Sequence, residues 1–307
     1  IADIDKVVSH IRSSGNIEFW HTFKNTEVGN HIYETANRVL SNTLYPGFKD
    51  SIENSSWLAE QMEEPLETIE TSTSGYLTDE ELEELTAKQD ENDDSDDDFE
   101  LEVFRKTSPF SAYLYPYADA QSQWVESPVL GYAKLSDTAI INDYLSNYSV
   151  LDSFSIRNLM FMWESHSTAS TQDGTQLLNL YLVKNTRSGG PGLDGYEVIS
   201  ASKSFDPLSK SPIVSIVFSK TGAIMWGDMT EKSAIDQTGI AITLDDMVFS
   251  APIASARIEG GNAQITGGPL NGKDGIYVAD WLSNLLNTGR LSYNFIVVDV
   301  KEYKNDK

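Results

Sequence analysis

Apolar residues recur at three- and four-residue steps through Ile1, Ile4, Val7, Val8 and Ile11, which predicts a helix with one buried face that ends at Gly15. The rhythm then changes to period two. Ile17-Glu18-Phe19-Trp20-His21-Thr22-Phe23 predicts a half-buried strand. A second helix is expected from about Glu27 to Leu40, with Ile32, Ala36, Val39 and Leu40 turned inward. From Leu44 to about Thr107 the pattern weakens. Trp57, Leu58 and Met62 mark a short helix, Thr71 to Gly75 reads as linker, and Glu80 to Lys88 as a charged helix.

Order is expected to resume at Ser108. A strand at Val129 to Leu135 leads into a helix from about Thr138 to Asn147, with Ser136 or Asp137 placed to cap it. Further strands are expected at Asn158 to Trp163, Leu177 to Lys184, Ile213 to Phe218 and Ile240 to Leu244, and a helix from about Lys220 to Thr230. The chain then predicts a helix at Ile276 to Asn287, capped by Gly289, and a strand from Leu291 to Val300. Strands and helices alternate irregularly, with hairpins among them. That pattern implies an α+β fold with antiparallel or mixed sheets and packed helices, not a doubly wound parallel sheet.

Composition narrows the chemistry. The 307 residues contain no Cys, which removes disulfides, thiolate metal sites and a Cys nucleophile. The formal net charge is -25, and Asp79 to Glu102 holds 14 acidic residues against one Lys, about half of that total. Such a balance repels phosphates, so nucleic acid and anionic membrane surfaces are not expected partners. Asp90 to Asp98 has no apolar residue to bury and reads as a solvated, mobile run. Asp93, Asp94, Asp96, Asp97 and Asp98 lack the loop Gly and the terminal Glu of a calcium-binding EF-hand. No stretch approaches the roughly 18 to 20 apolar residues that span a bilayer. With Ile1 first, the simplest account is a mature or excised segment whose membrane anchors, if any, lie outside it.

The four histidines, His10, His21, His31 and His166, lack the four-residue step of a zinc helix and read as ordinary core or surface residues. Gly189-Gly190-Pro191-Gly192 and Gly260-Gly261 fit neither a dinucleotide fingerprint nor a phosphate loop, and no Gly-x-Ser-x-Gly elbow occurs. No enzyme activity, cofactor or metal is expected. A pair of carboxylates close in the fold is the one hydrolase arrangement that spacing alone leaves open.

The most distinctive stretch runs from Ile240 through Leu244-Asp245-Asp246-Met247 to Ser250-Ala251-Pro252, then through Ile258 and Gly260-Gly261 to Gln264 and Gly267. It describes a strand, a tight turn, and a second strand closed at Pro252, which lacks a ladder donor. A reversal at Gly260-Gly261 follows, and then a strand from Ala263 to Thr266. Met247 and Phe249 are expected in the core.

This order resembles the signature of SecD and fused SecDF protein-export subunits, in which Leu-Asp-Gly leads to Ser-Ala-Pro and then Ile-x-Gly-Gly-x-Ala-x-Ile-x-Gly. Asp246 replaces the second turn residue, a departure that suggests a different turn type. Asn16 to Trp20 resembles the Glu-Phe-Trp strand of the fused form in Bacteroidetes-like bacteria. Val129 to Ala139, Leu159 to Trp163, Leu193 to Asp206 and Val214 to Ala223 resemble further family segments, in the family's order. Val298 to Tyr303 lacks the family's usual Gly-Pro.

The resemblance implies a discontinuous, ferredoxin-like base subdomain of residues 1–44, 108–188 and 275–307, an insertion at 45–107 with a disordered acidic linker, and a head subdomain at 189–274. Residues 187–195 and Gly267-Gly268 are the expected hinges. The signature residues Leu244, Asp245, Ser250, Ala251, Pro252, Gly260, Gly261, Gln264 and Gly267 are implied to shape strands and hinges, not catalysis. The implied partners are the SecYEG translocon, SecF or the SecF half of a fused chain, and an unfolded preprotein whose proton-driven export is assisted. The implied location is the periplasmic side of the bacterial inner membrane. A periplasmic or surface-exposed binding protein of unknown ligand, marked by a defined pocket, is the alternative.

Overall fold

A computed structural model describes residues 16–49, 94–167, 169–171 and 174–288. The expected helix at Ile1 to Ile11, the short helix near Trp57, the charged helix at Glu80 to Lys88, the Gly289 cap and the strand from Leu291 lie outside the described residues. The chain divides into two compact units, Ile1–His21 with Asn185–Lys307, and Thr22–Lys184. Both combine helices with antiparallel strands, so the α+β class holds.

The first unit is built on β1 (Ile17–Thr22), which the alternation in its sequence placed correctly. It pairs antiparallel with β10 (Ile240–Leu244), Phe19 opposite Ile242, and with the short β7 (Leu193–Asp194) on its other side. β11 (Met247–Ser250) returns along β10. A separate three-stranded sheet is formed by β8 (Val198–Phe205), β9 (Pro212–Phe218) and β12 (Asn262–Ile265), in the order β12-β9-β8.

Phe19 is fully buried in this unit and meets Phe218 and Trp226 edge-on at centroid distances of 5.4 and 5.5 Å. Full burial of one such ring contributes about 1.5–3 kcal/mol, and each aromatic pair about 0.5–1.5 kcal/mol more. Ala201, Val214, Ile216, Ala263 and Ile265 from the three-stranded sheet join the same core, together with Ala279, Leu282 and Leu286. Those last three belong to the C-terminal helix of the described chain, Gly275–Thr288, which packs on β8 and β9.

In the second unit, the helix α1 (Asn25–Leu44) buries Ile32, Tyr33, Ala36 and Leu40, the three- and four-residue spacing of its inward face. The acidic run departs from expectation: Asp94–Thr107 forms the helix α2. Arg105 and Lys106 in its last turn match the helix dipole.

The sheet of this unit contains β2 (Tyr115–Pro116), β3 (Val129–Lys134) and β6 (Gln176–Lys184), with β4 (Leu159–Trp163) and β5 (Ala169–Ser170) also paired to β6. Between them lie α3 (Thr138–Ser146) and α4 (Tyr148–Ser153). The expected side-chain cap of α3 is absent. A 3-10 turn at Leu135–Asp137 leads directly into it, and the Ser136 hydroxyl donates to Asp137 Oδ1 instead.

Candidate functional site: the signature hairpin and its loop

The signature begins at the end of β10, where Leu244 is buried and stands opposite Ile17. The two turn residues both adopt positive φ, 50° at Asp245 and 65° at Asp246, as the favoured two-residue hairpin turn requires. The turn thus keeps the backbone a Gly normally provides. Asp245 is held from both sides: its N–H donates to Asn16 O at 2.9 Å, and its Oδ1 accepts from Asn16 N at 3.1 Å. Those contacts offset the cost of a left-handed residue. Nearby, burial raises the pKa of Glu18, with Asp246 and Asp194 adding repulsion, while the Asn16 amide opposes the shift.

β11 carries Val248 and Phe249 into the core and leaves Met247 at 37% exposure, so the expected core role holds for Phe249 and not for Met247. The Ser250 hydroxyl is buried without a hydrogen-bond partner among the described residues. Pairing does not stop at Ala251-Pro252. The Pro252 carbonyl accepts from Ile240 N at 2.9 Å, and a single bridge joins Gly239 to Ile253. Proline lacks only the donor, so its carbonyl remains available.

The loop that follows is fastened to the helix α5 (Lys220–Asp236). Ala254 N donates to Ser233 Oγ at 3.0 Å, and Ile258 N to Thr230 Oγ1 at 2.9 Å. Arg257 Nη1 lies 2.7 Å from Asp228 Oδ1 and 2.9 Å from Glu231 Oε2, and Arg257 Nε lies 3.4 Å from Glu259. The Asp228 hydrogen bond leads the effects that raise the guanidinium pKa. α5 extends past its expected end near Thr230 to Asp236, with Ser233 buried and Lys232 paired with Asp236. It closes at Gln237 in the left-handed conformation, φ 53°.

Gly260 and Gly261 reverse the chain at φ 82° and 72°. Only the second is also crowded: a methyl there would lie 2.7 Å from Ala223 Cβ, and Gly261 O accepts from Phe218 N at 2.8 Å. Gln264 is exposed on β12 opposite Ser215. Gly267, φ 76°, opens a 3-10 turn at Gly268–Asn271.

The signature residues therefore line a turn, a strand end and a latched loop, and form no converging set of side chains. Thr230, Ser233 and Arg257, which hold the loop, were not foreseen; Arg257 alone lies within the signature, and the hydroxyls on α5 give no sequence signal. Elsewhere, buried Glu164 accepts from Asn179 Nδ2 at 3.0 Å. Burial lowers the pKa of His166 to about 4. Among the described residues, no group of three or more His, Asp or Glu side chains is placed to hold a metal, and no helix is long and apolar enough to cross a membrane.

This is an α+β protein whose signature residues shape its backbone. The family model of the SecDF P1 head subdomain matches residues 167–293. That match takes in the signature from Leu244 to Gly267 and bears out the resemblance read from it. The chain is 27% identical over 139 residues to the protein translocase subunit SecD of Desulfurispirillum indicum, covering 45% of this chain and 26% of that one. It is 37% identical over 111 residues to SecD of Acidaminococcus fermentans, covering 36% and 25%. SecD of Rhodothermus marinus matches at 27% over 163 residues, 53% of this chain and 24% of the relative. The chain thus spans about a quarter of the length of these relatives.

Two solved structures overlap it. One comes from work titled "Structure and function of a membrane component SecDF that enhances protein export", at 18% identity, TM-score 0.32, covering 55% of this chain and 76% of that one. The other is SecDF in its super-membrane-facing form, at 20% and TM-score 0.32, covering 50% and 22%. At such scores neither superposition locates a site in this chain.

Proposed function

We propose that this chain is the extracytoplasmic part of a SecD-type export subunit and that its task is to hold an emerging, unfolded polypeptide. The observation that carries this reading is the run of family segments ending in the P1 head match over residues 167–293, with the signature from Leu244 to Gly267 inside it. The role is non-enzymatic. The partners are the SecYEG translocon, SecF and the unfolded preprotein, on the periplasmic face of the inner membrane. Proton-gradient coupling belongs to membrane helices of the longer protein.

In this reading, residues 189–274 are a mobile head, 1–44, 108–188 and 275–307 its base, and 45–107 an insertion. Gly189 and Gly190, at φ 75° and 140°, supply one hinge, and Gly267 and Gly268, at 76° and 53°, the other.

Several large apolar side chains of this region face solvent, among them Tyr196, Ile224 and Ile258 at 72%, 63% and 38% exposure. Exposed apolar surface suits an unfolded client recognised without sequence preference. A photo-crosslinking residue at each of these positions, in the full-length gene product within membrane vesicles, tests the assignment. Adducts with a polypeptide arrested in transit are expected, and none once it is released. Labelling that ignores transit would remove the export role.

A further inference from the structure

β8 ends the three-stranded sheet, with no fourth strand beside it among the described residues. Asp206 N donates to Ser211 O at 2.9 Å, which sets the alternation: Ser200, Ser202 and Ser204 bond toward β9, while Ala201, Lys203 and Phe205 direct their N–H and C=O groups away from it. At Ala201 that outward side is filled by a side chain of α6 (Gly275–Thr288). Ala201 N donates to Asn287 Oδ1 at 2.8 Å, and Asn287 Nδ2 donates to Ala201 O at 2.7 Å. A neighbouring strand's peptide groups make this same pair of bonds, and a carboxamide carries the same donor and acceptor as a peptide.

We propose that the outer edge of β8 receives an extended polypeptide as an added strand, and that Asn287 is a placeholder which that strand displaces. The proposal deepens the polypeptide-holding reading and rests on it. Binding through the backbone requires no particular sequence, which is what a client of varied composition demands. Ile199, Phe205 and Leu208, at 66%, 47% and 93% exposure, flank the edge and offer apolar contacts to alternate side chains of the incoming strand. A net charge of -25 selects against acidic segments. Lys203, whose ammonium sits 2.5 Å from Asp280 Oδ2, is already neutralised by α6. The occupant is therefore an extended, apolar, neutral or basic stretch without proline.

The test uses the 307-residue chain and a fluorescent ten-residue peptide of alternating valine and threonine with lysine ends. Its twin is N-methylated at every second amide. Fluorescence anisotropy is expected to show binding of the peptide and at least tenfold weaker binding of the twin. Amide exchange at Lys203 and Phe205 slows when the peptide is added. Asn287→Ala tightens binding about fivefold. Asn287→Asp, which cannot donate to Ala201 O, tightens it as well and covers the case in which the alanine variant fails to fold. Asn284→Ala leaves affinity unchanged.

Equal binding of the twin overturns the edge site and leaves the polypeptide-holding reading standing. No binding of this peptide or of any unfolded protein overturns both. Unchanged affinity in the folded Asn287 variants overturns the placeholder. Protection of Lys203 and Phe205 before any peptide is added means that a second copy or another part of this chain already fills the edge, which overturns the proposal.

Discussion

The two units solve one problem with different chemistry. Each contains loops whose backbone groups must find partners once water is excluded. In the first unit the signature loop is fastened by hydroxyls and a charge cluster on and around α5, namely Ser233, Thr230 and Arg257. In the second, two carboxamides do the work, Asn25 buried and Asn37 half-buried. Asn25 Nδ2 donates to Val125 O and Val129 O at 2.8 and 3.0 Å, and its Oδ1 accepts from Ser127 N at 3.0 Å. Asn37 Oδ1 accepts from Phe110 N and Ser111 N at 2.9 and 3.1 Å. A buried amide with all its groups used is costly to replace, whereas a surface guanidinium paired with exposed acids contributes little. The second unit's loops are thus held by side-chain amides, whereas the first unit's loop is held by two buried hydroxyls and a charge cluster at the surface.

The largest blow to the first unit should come from its core. Phe19→Ala is expected to cost about 4 kcal/mol in denaturant unfolding, with amide exchange in β9 and β10 accelerated. Asn25→Ala should cost about 3 kcal/mol, because Val125 O, Val129 O and Ser127 N lose their partner, and exchange near β3 should report it. If Asn25→Ala is as mild as Arg257→Ala, for which a change under about 1 kcal/mol is expected, the contrast between the units fails.

Within the signature, Gly261→Ala should cost about 2 kcal/mol and Gly260→Ala about 1 kcal/mol. Both have positive φ, but only the first meets a neighbouring Cβ. Equal losses would mean that the contact with Ala223 is not tight.

The second unit also carries a pH signature. His166 is held neutral to about pH 4, whereas an unfolded histidine takes up its proton near 6.5. The unfolded chain therefore binds more protons between those values, and stability falls as pH drops from about 6.5 to about 4, then levels. His166→Gln should flatten that part of the stability profile; a slope unchanged in the variant would assign it elsewhere. Smallest of all, Asp246→Gly restores the family turn and should raise stability by about 0.5–1 kcal/mol in thermal or denaturant melts.

Much of this organisation was legible in the sequence because it is local. The period-two run at Ile17, the spacing of Ile32, Ala36 and Leu40, and the order from Leu244 to Gly267 each depend on neighbours a few residues apart. The contacts that hold the loops depend on distant ones. Asn25 meets residues about a hundred positions away, and Asn287 meets Ala201 across 86. No spacing rule reveals such a pair. Helix α2 was missed for another reason: the sequence at its start holds no apolar residue, so the three- and four-residue spacing that reveals a helix is absent there. The turn at Asp245-Asp246 kept positive φ because Asn16, 229 residues earlier, supports it.

Holding of unfolded polypeptide is the proposed role of this chain. The direct measurement is titration of the 307-residue chain into one labelled protein presented in two states, native and permanently unfolded, at equal concentration and salt. Saturable binding to the unfolded state with none to the native state is the predicted result. Binding to neither, or equally to both, would contradict it.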